Sequence, residues 1–168
     1  MSSGADTALA WRIEQACFHA WPALEQVEVG DWAVRFGRGL TRRNNSANPT
    51  RADARLSDAE IEACAGIYAR WGQPTIFRLP SFLDPEADRR LERLGFSREE
   101  DVLTLAGDAD ALACATDPQA RILEAADEDW LAARSALAGL TPAETATYAE
   151  VVRRLALPGV FAASSCDG

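Results

Sequence analysis

Two arginines and three asparagines crowd one short stretch of the chain, Thr41-Arg42-Arg43-Asn44-Asn45-Ser46-Ala47-Asn48. A guanidinium offers a fixed fork of donors that suits carboxylates and phosphates, and a side-chain amide both donates and accepts. Arg42, Arg43, Asn44, Asn45, Ser46 and Asn48 are therefore the candidate substrate-binding set, suited to an anionic or amide-bearing ligand. The plainer reading is a solvated turn in which Asn and Ser bond their own backbone. Asn44-Asn45-Ser46 also spells a glycosylation sequon, a chance match where no secretory signal precedes it. Cys17 and His19 are the other nucleophile-like pair, but two residues apart on a helix they point about 200° apart and do not meet. Glu25 and Glu28 fall on a strand and offer a carboxylate to an amine, although a strand face open to water is the ordinary place for such charges.

Other chemistries are excluded by composition. All 17 basic residues are Arg, so no lysine can serve a P-loop, a Schiff base or a proton transfer. One His and four widely spaced Cys, with no Cys-x-x-Cys pair, lack zinc-site spacing, and no metal is expected. A net charge of −9 disfavours nucleic acid and anionic membranes as partners. The first ten residues, MSSGADTALA, have neither the basic start nor the apolar run of a signal peptide. Reduced thiols in a cytoplasmic protein are the expectation.

These residues need a scaffold, and the pattern supplies one. Residues 8–21 carry apolar groups at helical spacing, with Asp6 or Thr7 as a start and Pro22 as a stop. Residues 24–29 and 32–38 alternate and flank Gly30-Asp31, which predicts a hairpin. Residues 39–55 read mainly as loop. Ser57-Asp58-Ala59-Glu60 is a capping box opening a helix to Trp71. Strand TIFRL (75–79), a helix from Asp84-Pro85 to Gly95 and strand DVLTLA (101–106) follow. Residues 107–119 read as a connector. RILEAA (121–126) then predicts a strand, and Asp127-Glu128-Asp129 an acidic helix start. Thr141-Pro142-Ala143-Glu144 opens another helix, and VFAASS (160–165) a strand ending on the turn signal Asp167-Gly168. A chain stopping on a turn reads as truncated.

The segment RILEAADEDW, with the helix and strand after it, resembles the opening of the GNAT N-acetyltransferase fold. LERLGFSREEDVLTLAGD (91–108) is similar to that family's late helix and strand, and residues 11–49, with Thr41-Arg42-Arg43-x-Asn45-Ser46, resemble bacterial proteins that pair a degenerate GNAT-like half with a catalytic one. The resemblance implies an α/β (α+β) fold, a mixed and mostly antiparallel sheet flanked by helices. It implies a GNAT-like module over residues 1–106, a connector over 107–119, and the first half of a second module over 120–168. It further implies transfer of an acetyl group from acetyl-CoA, as cosubstrate, to a small-molecule or peptide amine. The family's [Q/R]-x-x-G-x-[G/A] pyrophosphate loop has no counterpart in this sequence: Arg35-Phe36-Gly37-Arg38-Gly39 is glycine-rich but wrongly spaced. A non-catalytic GNAT-like interaction or regulatory module is the alternative, with a homodimer or another chain providing a partner for the strand at 160–165.

Overall fold

The computed structural model describes residues 4–105, 107 and 119–164. Its centre is the hairpin anticipated at Gly30-Asp31. Strand β1 (Glu25–Val29) pairs antiparallel with β2 (Trp32–Phe36), Gln26 opposite Arg35 and Glu28 opposite Ala33. Gly30 takes a φ of +56°, a conformation that favours glycine at this turn.

The sheet has a third strand where a loop is expected. Ala47–Pro49 forms β3, antiparallel to β2, after a single 3-10 turn at Arg42–Asn44. Asn48 and Pro49 are poor strand formers. Long-range pairing overrides them, because Ala47 bonds through its N–H to Ile76 O (2.8 Å) and through its carbonyl to Arg78 N (2.9 Å). That contact is a parallel bridge between Ala47 and Phe77, all that forms of the strand expected at 75–79. Residues 101–105 form no strand. The single bridge at Phe77 offers no continuous edge to pair with, and Leu103 and Leu105 are 86% and 89% exposed.

Helix α1 (Gly4–Ala20) precedes the hairpin, and α2 (Asp58–Arg70) and α3 (Glu86–Arg93) follow β3. The capping box opening α2 is present in full, with Ser57 Oγ accepting from Glu60 N and Glu60 accepting from Ser57 N. Helix α3 starts one residue later than expected, Pro85 taking the cap position while Asp84 Oδ1 accepts from Glu86 N (2.9 Å). The apolar core lies between these two helices and one face of the sheet. Trp32 and Val34 of β2 meet Ile61, Cys64 and Tyr68 of α2 and Ala87 and Leu91 of α3. Burial pushes the Cys64 thiol up to about 11.

Beyond the connector, most of which lies outside the described residues along with Asp167-Gly168, β4 (Arg121–Leu123) and β5 (Phe161–Ala163) frame α4 (Glu128–Leu137) and α5 (Pro142–Arg153). The two strands pair antiparallel, so β5 has a partner within its own chain. This part meets the first through Trp21 against Tyr148, through the Arg38–Glu150 ion pair (2.8 Å) and through Arg154, whose Nη1 donates to Leu24 O. The whole is a mixed α/β fold built on antiparallel pairing, as expected. No described helix is long and apolar enough to cross a membrane.

Candidate functional site

Side chains alternate across a strand, so the hairpin that sends Trp32 and Val34 into the core sends Ala33 and Arg35 to the opposite face. Gln26 and Glu28 of β1 and Asn48 of β3 share that face by register. Together they floor a cleft of about 470 Å³, within the usual range for small-ligand sites. One wall is α1, presenting Trp11, Glu14, Gln15 and Phe18 at helical spacing, and the other is Val102–Leu105.

Two arginines hold the α1 wall in place. Arg35 is 1% exposed and has no carboxylate partner among the described residues. Its guanidinium donates to three backbone carbonyls, Phe18 O (3.2 Å), Trp21 O (2.5 Å) and Arg43 O (3.1 Å), and lies over the Phe18 ring at 4.1 Å. It thereby ties the end of α1 to the 3-10 turn, while its own carbonyl accepts from Tyr68 of α2 (3.0 Å). Burial pulls its pKa down to about 10, which leaves it charged near neutrality. Arg78 makes a bidentate pair with Glu14 at 2.8 and 3.0 Å, fastening the middle of α1.

The candidate loop divides between structure and cleft. Arg42 points away from the cleft and pairs with Glu99 (2.9 Å) and Glu100 (3.1 Å). Asn44 is buried, accepting from Thr41 Oγ1 at 2.8 Å. Asn45 Oδ1 accepts from the amides of Gly37 (2.8 Å) and Gly39 (2.9 Å), and its Nδ2 donates to Thr41 O (2.6 Å). Ser46 is buried and receives Asn48 Nδ2 at its carbonyl (2.7 Å) and hydroxyl (3.2 Å). Arg43 and Asn48 reach the cleft, Arg43 with an exposed guanidinium. Cys17 and His19 both border it as well, whereas Glu25 does not. A smaller depression of about 190 Å³ lies beside Arg42 and Asn45. Among the described residues no three His, Cys, Asp or Glu gather as a metal-ligand set.

Sequence reasoning did not anticipate Glu14, Arg35 or Arg78. Arg35 was within reach, because the Gly30-Asp31 turn fixes the register that sets it beside Gln26. The Glu14–Arg78 pair spans 64 residues and has no local signature.

From residue 7 to residue 157 the chain matches the family described as "Probable histone acetyltransferase Rv0428c C-terminal". The chain belongs to this acetyltransferase family. It is also 35% identical over 88 residues to the "Uncharacterized N-acetyltransferase YobR" of Bacillus subtilis (strain 168), an alignment covering 49% of this chain and 35% of that protein. The chain thus matches about a third of the length of this curated relative. No solved structure matches it.

An acetyltransferase of the GNAT type must hold the anionic end of acetyl-CoA, and a helix N-terminus with free N–H groups is the natural place. Among the described residues, the starts of α2 to α5 do not fit that task. The α2 start is closed by Ser57 and Glu60 and carries Asp58 as well. Asp127 caps α4 ahead of Glu128 and Asp129, a Thr141–Glu144 box closes α5, and Asp84 and Glu86 stand at α3. The glycine-rich turn after β2 is also filled, since its two glycine amides converge on Asn45 Oδ1. Carboxylates and internal acceptors occupy the positions a pyrophosphate would need.

Proposed function

We propose that this chain is the acceptor-side lobe of a GNAT-type N-acetyltransferase, its cleft holding a small-molecule or peptide amine. Acetyl-CoA is the cosubstrate this reading implies, with its pyrophosphate held away from the capped starts of α2 to α5. The reading divides the chain into a GNAT-like module up to residue 106 and the start of a second one from residue 120. The observation that carries it is Glu28, an exposed carboxylate on the cleft floor with no hydrogen-bond or ion-pair partner among the described residues. There it can receive an ammonium group. The Glu14 carboxylate in the same cleft is already taken by Arg78.

The test is a titration followed by amide NMR. Phenethylamine should shift the resonances of residues 26–28, 43, 48 and 102–105. Millimolar acetyl-CoA should leave residues 57–60 at the α2 start unmoved. An amine that leaves the cleft unshifted refutes the acceptor-lobe reading. The closed helix starts favour one second reading, a non-catalytic GNAT-like interaction or regulatory module. Binding of amines without acetyl transfer, in a chain carrying its natural flanking sequence, would select it.

A further inference from the structure

The charges of the cleft offer more than a bare amine can use. Glu14 and Arg78 neutralise each other through two hydrogen bonds. What remains is a cation-rich end and an anionic end. At the first, the buried Arg35 donates to backbone carbonyls and lies over the Phe18 ring, and the Arg43 side chain has no partner among the described residues. At the second stands Glu28. The β1–β2 register fixes their order, since Gln26 faces Arg35 on one rung and Glu28 faces Ala33 two residues further along. Two residues along a strand are about 7 Å. In the same cleft, Trp11, Val102 and Leu105 supply apolar surface.

A monoamine would satisfy Glu28 and leave its positive charge facing Arg43 and Arg35. A phosphate or simple carboxylate would satisfy Arg43 and face Glu28. A ligand with both groups meets both ends. We propose, building on the acceptor-lobe reading, that the cleft takes a zwitterionic aminocarboxylate with an apolar side chain, its ammonium at Glu28 and its carboxylate at Arg43. Arg35 adds to the positive field at the carboxylate end and holds the Arg43 backbone in place. The Trp11 ring and the Val102 and Leu105 side chains cover the apolar side chain of the ligand.

The experiment compares L-phenylalanine with two relatives that each lack one charge, phenethylamine and 3-phenylpropanoate, by titration of the whole chain followed by amide NMR. Removing either charged group from the ligand should weaken binding at least about tenfold. Phenylalanine is therefore expected to bind about tenfold or more tightly than either relative, with shifts at residues 26–28 and 43. Arg43→Gln should erase its advantage over phenethylamine, and Glu28→Gln its advantage over 3-phenylpropanoate. Both side chains are exposed and unpaired among the described residues, so unchanged thermal unfolding of the variants is expected and checks that the fold is intact. Phenethylamine binding as tightly as phenylalanine would overturn the carboxylate subsite while leaving the acceptor-lobe reading standing. No binding of either amine would remove both readings. Tight binding of 3-phenylpropanoate alone would refute the ammonium position and the acceptor role together.

Discussion

Replacing Asn45 with alanine separates a structural role for the Asn-rich loop from a ligand-binding one. Asn45 Oδ1 receives two amides, Gly37 N at 2.8 Å in a buried bond and Gly39 N at 2.9 Å in a partly buried one. Its Nδ2 donates to Thr41 O (2.6 Å) and Asn44 Oδ1 (3.0 Å). The alanine variant strands both glycine amides. A buried donor left without an acceptor costs about 1–3 kcal/mol, Gly37 falling toward the upper end and Gly39, which water can partly reach, toward the lower. Together the loss is about 4 kcal/mol, a large share of the stability of an ordinary domain. In thermal unfolding it corresponds to about 8–16 °C. Urea unfolding followed by tryptophan fluorescence should show a lower midpoint with an unchanged slope. Asn45→Asp keeps the acceptor for both amides and loses only the donors, so its stability should fall between the two. An alanine variant within about 1 kcal/mol of the parent would refute the structural assignment.

Glu14→Gln should weaken the fastening of α1 by about 1–2 kcal/mol, raising hydrogen exchange across residues 8–20; unchanged protection there would sink the assignment. Ser57→Ala removes the acceptor for Glu60 N, so a loss of about 1 kcal/mol is expected in urea unfolding, and no loss would mean the cap is idle. Desolvation pushes the Glu60 carboxyl up, but hydrogen bonds from Ser57 and from the Asp31 amide outweigh it and hold the group below its ordinary value. Its contribution is complete above the unfolded carboxylate pKa of about 4.3 and is lost as pH falls through the lower folded one. The Glu60→Gln variant should therefore lose less stability than the parent across that acid window, and coincident profiles would contradict the argument. Cys64, fully buried with its thiol pKa raised to about 11, should stay unmodified by iodoacetamide in the native chain; rapid labelling, read by mass spectrometry, would show that α2 opens.

Elements written in local signals were legible from the sequence. Gly30-Asp31 announces the hairpin because the turn needs a positive φ, and Ser57…Glu60 and Thr141…Glu144 announce helix starts because each box closes on itself. Strand β3 was not legible. Ala47-Asn48-Pro49 has weak strand propensity, and its state is decided by β2 on one side and the 76–78 backbone on the other. Residues 101–105 err in the opposite direction, with strong propensity and no edge to join. Of the candidate residues in the Asn-rich loop, Arg43 and Asn48 line the cleft. The register and the distant Glu14–Arg78 pair decide what surrounds them, and neither is a property of any short window.

The loop from Thr41 to Asn48 looks like a concentration of ligand-binding groups because its polar side chains are read as facing solvent. Burial reverses that reading for most of them. Asn44, Asn45 and Ser46 are buried: Asn45 pairs with the Gly37 and Gly39 amides and with Thr41 O, Asn44 donates to Pro22 O, and Ser46 receives Asn48 Nδ2. An unpaired amide buried there would cost as much as several surface contacts contribute, so these positions call for side chains that can donate and accept at close range. Their use inside the fold is also what fixes the turn. Arg35 then bonds the Arg43 carbonyl from beneath, and the Arg43 guanidinium is carried to the rim of the cleft on a backbone held from both sides. A long, flexible side chain on a rigid base loses less freedom on meeting a ligand than the same side chain on a mobile loop. If the cleft binds the proposed aminocarboxylate, the buried asparagines act without touching it, and their effect on affinity should run through the order of the turn that carries Arg43.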